Sequence, residues 1–207
     1  MKQFFVTLLA VVLMFYAMGH QGEPTLQDMM GSADSSAYQN RILGVGFRCP
    51  GYRFMGQEEL LRNWDIDPSM LSLPARDVLD RHSSVRLMSA SPSNPYEQAY
   101  ITLVSVGLNA SWLAKLNENE LLEYVLSVVK PDGPDLNLQD TQLVSYSIDG
   151  RTVPCVHFAY QPGGLLGYHS IFHVFLSGEY LVFLEARAPS ESSAKYILSH
   201  FFWYHDT

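Results

Sequence analysis

Two cysteines in 207 residues, Cys49 and Cys155, are too few to staple this chain together. A domain of roughly 150 residues buries about two-thirds of its unfolded surface and folds without such help. Whether the two thiols pair or sit as small buried hydrophobes stays open on the sequence alone. Basic residues are also scarce: 13 Lys and Arg stand against 21 Asp and Glu, a formal charge of −8, with no basic run anywhere. That balance repels phosphate backbones and anionic lipid, so nucleic acid is excluded as a partner. No apolar run is long enough to span a bilayer with ease. The longest, from Phe4 to Met18, falls short of the roughly 20 residues a spanning helix needs.

What that run does suit is the core of a secretory signal, with Lys2 in front and Ala17-Met18-Gly19 behind it. Residues 1–19 are therefore expected to be a signal peptide cleaved after Gly19, or an uncleaved signal anchor. No cysteine lies near this point, which excludes a lipid anchor on cysteine. Residues 20–40 carry Gly22, Pro24, Gly31, Ser32, Ser35 and Ser36 with little periodicity, the composition of a flexible tether. Residues 41–207 then make a single α/β domain, presented outside the cytoplasm.

Within that domain, Ile42 to Phe47, Tyr52 to Met55, Val85 to Ala90 and Gln98 to Val106 read as strands. Gln57 to Trp64 reads as a short helix. Asn117 with Glu120 forms a capping-box variant ahead of Leu121, Leu122, Val125 and Leu126 at helical spacing. Asp149-Gly150 is a strong two-residue hairpin signal between Gln142–Ile148 and Thr152–Tyr160. Ser177-Gly178 joins Tyr168–Leu176 to Glu179–Arg187 in the same way. Ser190 caps a closing helix predicted to run to Phe202, with Ala194, Ile197, Leu198, Phe201 and Phe202 as its buried stripe. Both alternating sets of the last strands carry apolar residues, so both faces of the sheet are covered. The fold class is α+β: an antiparallel β-sheet of about six strands with helices packed on both faces.

This order resembles the PsbP-like family of α/β/α sandwiches, which includes photosystem II extrinsic subunits and bacterial exported proteins. The residues that carry the resemblance are Leu43-Gly44-Val45-Gly46-Phe47 leading to Tyr52-Arg53-Phe54, Ile148-Asp149-Gly150, Gly178-Glu179-Tyr180-Leu181 and the closing segment from Ser190 to Phe202. The resemblance implies a binding or assembly module without chemistry of its own. It transfers no functional residue and no cofactor.

Catalytic patterns are sparse. No G-x-S-x-G elbow occurs, and Cys155 with His157 is the nearest approach to a thiol–imidazole pair. His169 and His173 lie four apart on one strand, with His157 on the strand before, so three imidazoles face one side as a possible zinc or copper site. Gly163-Gly164-x-x-Gly167 lacks the lysine of a phosphate loop and joins two strands. Leu165 and Leu166, set among those glycines, are adjacent leucines that are costly if exposed, and they mark a contact for a partner. Tyr96, in the loop broken by Pro92 and Pro95, is a second contact candidate. The function expected is a non-enzymatic exported module for a protein or cell-envelope partner, with membrane contact only through an uncleaved N-terminal segment. The alternative is a small metal-binding or hydrolytic protein built on His157, His169 and His173.

Overall fold

The computed structural model describes residues 23–128, 136–162 and 167–204. The expected sorting segment lies outside them, as do Leu165 and Leu166. Strand formation begins earlier than composition suggests. Thr25 caps helix α1 (Leu26–Met29), its hydroxyl accepting from the Asp28 amide while the Asp28 carboxylate accepts from the Thr25 amide. Leu26, Met29 and Met30 are buried. Strands β1 (Ser32–Ala33) and β2 (Tyr38–Asn40) follow, joined by a turn in which Asp34 accepts from the amides of Ser36 and Ala37 at 2.6 and 2.8 Å. The tether expected over 20–40 is thus corrected from Glu23 onward. Its glycine and serines are hairpin chemistry, and its apolar residues enter the core.

Strand β3 (Val45–Phe47) pairs with β2. After β4 (Arg53–Phe54) come helix α2 (Gln57–Arg62), a 3-10 turn over Pro68–Ser72, and helix α3 (Ala75–His82). Strands β5 (Ser84–Ser91) and β6 (Gln98–Ser105) lead to the short helix α4 (Ala110–Leu113) and to α5 (Glu118–Val128). Asn117 caps α5 as expected, accepting from the amides of Asn119 and Glu120 at 3.0 Å, while Glu120 accepts from the Asn117 amide. The last third is β7 (Leu136–Ile148), β8 (Arg151–Pro162), β9 (Tyr168–Ser177), β10 (Tyr180–Ala188), α6 (Glu191–Leu198) and β11 (Phe201–Trp203). Asp149 and Gly150 take φ of 51° and 74°, the left-handed pair that the hairpin demands.

Among the described residues the strands form two antiparallel sheets: seven strands in the order β4-β5-β6-β10-β9-β8-β7, and four in the order β1-β2-β3-β11. The predicted terminal helix ends early. Phe201 and Phe202 leave it to pair with β3, Phe201 opposite Phe47 and Phe202 opposite Gly46. A Cβ on Gly46 would overlap the Phe202 ring, so glycine is what admits the second aromatic. An apolar stripe at i+7 and i+8 is equally satisfied by a strand that returns to the same core, and here the strand wins.

One face of the larger sheet meets the smaller sheet and α1, α2, α3 and α6 in one core, to which Val85, Ile101, Val182, Leu184 and Ala186 contribute. The opposite face carries a smaller cluster, where Leu113, Leu121, Leu122 and Val125 cover Val156, Phe172, Val174 and Leu181. Helices therefore stand on both faces, as the double apolar alternation required. Cys49 and Cys155 are both free thiols buried in the main core.

Asn40 ties the N-terminal hairpin to this core. Fully buried, it donates to the Met29 carbonyl at 2.6 Å and accepts from the Leu43 amide at 3.0 Å. Asn40→Ala leaves two buried backbone groups without partners and is expected to cost about 2–4 kcal/mol in urea unfolding. Asn119→Ala, on the exposed start of α5, stays within about 0.5 kcal/mol. Equal effects would mean that residues 23–40 do not pack as described.

Candidate functional site

Helices α4 and α5 cover only part of the second face, the part built from Val156, Phe172, Val174 and Leu181. Toward β5 and β6 the same face turns polar. The alternation of β10 produces this: Val182, Leu184, Ala186 and Ala188 enter the main core, so Glu185 and Arg187 must project to the other side. Glu185 lies between Phe172 of β9 and Tyr100 of β6. Arg187 lies between Ser170 and Gln98.

Arg86 arrives from β5, opposite Thr102. A β-bulge falls immediately after it, between Arg86 and Met88. The extra residue lets Leu87 and Met88 both be buried in the main core while Arg86 stays on the polar face.

These side chains form one network. The Glu185 carboxylate accepts from Ser170 Oγ at 2.7 Å and from Arg187 Nε at 2.6 Å. Arg86 Nη2 stands 4.0 Å from its other oxygen. The Arg86 guanidinium carbon lies 3.6 Å from the centre of the Tyr100 ring and 4.7 Å from that of Trp64. Arg187 lies 5.2 Å from the Tyr100 ring centre. Burial acts on Glu185 to raise its pKa. The charge and hydrogen bond of Arg187, the Ser170 hydroxyl and the charge of Arg86 together outweigh it, and the net shift is downward. Arg86 is shifted down from the usual guanidinium value, chiefly by burial, which the Glu185 charge opposes. Its side chain is only 12% exposed, and its Nε is buried without an acceptor.

The aromatic rim is more open. Trp64 is 37% exposed and Tyr96 45% exposed. Tyr96 packs against Tyr168 at 6.2 Å between ring centres, and Tyr168 opens β9 just after the glycine-rich loop. The sequence singled out Tyr96, and it lies at this end of the face. Arg86, Tyr100, Glu185, Arg187 and Trp64 were not among the sequence candidates.

The three candidate histidines separate into a pair and a single ring. His157 lies opposite Ile171, which makes it diagonal to His169. Their rings stack, with His157 Nε2 and His169 Nδ1 3.0 Å apart. His173 is a further four residues along β9, about 13 Å at strand rise. Its Nδ1–H donates to the Pro154 carbonyl at 2.8 Å, and its ring faces Phe175 and Trp203. Among the described residues no three His, Cys, Asp or Glu side chains converge as metal ligands. The carboxylate of Glu191, which acts on His157, is held by Lys195 at 2.7 Å and by the Tyr146 hydroxyl at 3.0 Å. Cys155 does not serve as a nucleophile beside His157. Burial pushes its thiol up to about 12, and its Sγ donates toward the Val153 carbonyl.

A cleft of about 730 Å³ opens where β1 and β4 end their sheets. Its floor of Met30, Tyr38, Leu60, Leu87 and Met88 is main-core surface, all of it buried.

Burial holds the His173 imidazole below its ordinary pKa of 6.5 even though the Pro154 carbonyl favours the charged form. The folded state therefore prefers the neutral ring. Its contribution to stability is complete above about pH 6.5 and is lost as pH falls toward the depressed value. In urea melts from pH 8 to 5, His173→Gln is expected to lose less stability on acidification than the parent. Parallel pH profiles for the two proteins would refute this placement of the ring.

In comparisons with known proteins, no family model matches the sequence and no curated protein matches it. Among solved structures the chain is similar to the solution structure of cyanobacterial PsbP (CyanoP) from Synechocystis sp. PCC 6803. The identity is 12% and the TM-score 0.47, over 84% of this chain and 96% of that one.

Proposed function

We propose that this chain is an exported, non-enzymatic binding or assembly module that holds a protein or cell-envelope partner at the polar end of one face of its larger sheet. One observation carries the reading: the exposed rings of Trp64 and Tyr96 stand at the polar end of this face, Trp64 over Arg86 and Tyr96 against Tyr168. Tryptophan, tyrosine and arginine dominate the energetics of protein interfaces, because they offer large contact area and directional donors. Arg86, Tyr100, Tyr168 and Arg187 beneath them stand on hydrogen-bonded strands, which fixes their positions and lowers the ordering cost of association. Leu165 and Leu166 precede Tyr168 by three and two residues in the sequence, and the proposal includes them in the same contact.

The export half of the reading rests on Phe4 to Met18 and the small residues at Ala17 and Gly19. The acidic balance of the chain supports a partner other than nucleic acid.

Two experiments test the two halves separately. A photoreactive residue at position 96 is expected to give a discrete adduct in cells that make the protein naturally. The same residue at position 196, on the exposed side of α6, gives none. Adducts from both positions or from neither would remove the assigned surface. Intact mass of the exported protein is expected to show a chain starting at His20. A full-length chain confined to the cytosol would remove the export reading and leave the surface untouched.

A further inference from the structure

A sheet edge presents backbone N–H and C=O groups with which another strand can pair, and proteins blunt such edges by keeping them short or by placing charge on them. Among the described residues the two sheets end in four edge strands. Three are blunted. Strand β1 has two residues, β4 has two and carries Arg53, and β11 has three, with Arg48 and Arg151 lying over its Phe202 and Trp203 rings. The fourth, β7, runs for 13 residues, where an ordinary strand has about five or six. It contains no lysine, arginine or proline. Its bulge falls between Leu138 and Asp140, which leaves residues 141–148 regular.

The register of β7 on β8 fixes which of its groups point outward. The two-residue turn makes Ile148 and Arg151 a pair that exchanges both hydrogen bonds, and bonded pairs then recur at every second residue. Tyr146 and Val144 are therefore spent on β8, whereas Thr141, Leu143, Ser145 and Ser147 turn their N–H and C=O away from it. Pro154 agrees with this phase. It stands opposite Ser145, has no N–H to give, and its carbonyl accepts from His173 Nδ1 instead. Among the described residues no backbone hydrogen bond from outside the sheet reaches these four positions. Their side chains are exposed, Leu143 by 51%, while Val144, Tyr146 and Ile148 pack on the main core.

What can pair with this edge follows from its composition. Residues 141–148 carry no charge, on a chain whose formal charge of −8 repels its own copies over the rest of its surface. The stretch is also complementary to itself. An antiparallel second copy placed about a two-fold axis at Val144 sets Thr141 against Ser147, Leu143 against Ser145, and Val144 against its own counterpart. Every outward N–H and C=O of the four residues is then paired. Hydroxyls meet at both ends, two valines meet on the axis, and no like charges face each other.

We infer that β7 is a dimerisation edge, pairing antiparallel with the β7 of a second copy of this chain and joining two seven-stranded sheets into one. The inference goes beyond the partner surface proposed above and does not depend on it.

Sedimentation velocity of the natively processed chain is expected to show a dimer that dissociates on dilution and dominates at about 0.1 mM. Ser145→Pro removes an N–H that β8 does not use, and it should raise the dimer dissociation constant at least tenfold. Leu143→Lys combined with Ser145→Lys keeps the backbone intact and sets ammonium groups opposite each other across the axis. This second variant should abolish the dimer, whether or not the proline variant folds. Ile42→Ser removes a side chain of similar exposure, 49%, away from the edge, and should leave the dimer unchanged. In hydrogen exchange, the Leu143, Ser145 and Ser147 amides should be slow in the dimer and fast in the lysine variant. A parent chain that stays monomeric at about 0.1 mM would overturn the inference and leave the edge to a different protein. A dimer that the lysine variant leaves intact, or one in which those three amides exchange freely, would overturn it as well.

Discussion

Strand β10 is fourth of seven in the larger sheet, paired along its length with β6 on one side and β9 on the other. Its register fixes which side chains are dry and which are charged. Val182, Leu184, Ala186 and Ala188 line the main core, and the intervening Glu185 and Arg187 reach the opposite face. A slip of one residue would exchange the two sets and drive two charges into the apolar layer. Uncompensated burial of even one such charge costs several kcal/mol, so the alternative register is closed. The small residues matter as well. Ala186 and Ala188 face Ala194 within the core beneath α6, which lets the helix lie close to the sheet.

With β10 fixed, the two ends of the second face take different roles. At the α5 end, Leu181 meets Leu121 and Leu122 in a sealed apolar cluster. At the other end Glu185 accepts from Ser170 and Arg187 and pairs at 4.0 Å with Arg86. Holding a carboxylate and two guanidiniums so nearly dry is weak evidence for stability, because hydrophobic residues of equal volume serve as well or better. Glu185 and Arg187 stand on the central strand β10, and Arg86 reaches them from β5. The β5 bulge allows this: it turns Leu87 and Met88 into the core and leaves Arg86 over the Tyr100 ring.

Much of the fold was legible because its signals are local. Asp149-Gly150, the Asn117 and Ser190 caps and the double alternation of β9 and β10 each rest on a few neighbouring residues. The N-terminal hairpin was not legible, since Gly31, Ser35 and Ser36 are equally at home in a tether and in a turn. Only the pairing of β2 with β3, a tertiary fact, separates the two. Phe201 and Phe202 failed for a related reason: a stripe at helical spacing also fits a helix that stops at Leu198 and a strand that returns to Phe47. For the site, Glu185 and Arg187 alternate with apolar residues along β10, a local signal that the sequence candidates did not include. Their meeting with Arg86 depends on β5, β6 and β10 lying side by side, which no window of the sequence contains.

The histidines and the arginines make an instructive contrast on opposite faces of one sheet. His157 and His169 satisfy each other at 3.0 Å, His173 is satisfied by the Pro154 carbonyl, and the nearby Glu191 is neutralised by Lys195. One nitrogen of each imidazole is used on a partner from the chain itself, while the buried Trp203 Nε1 beside His173 has no acceptor among the described residues. Across the sheet Glu185 accepts from Arg187 Nε at 2.6 Å and stands 4.0 Å from Arg86, whose buried Nε has no acceptor among the described residues. Composition alone favours the histidines as the more chemical-looking group. The hydrogen-bond count does not separate them, because among the described residues each face holds one buried donor without an acceptor, Trp203 Nε1 on one and Arg86 Nε on the other.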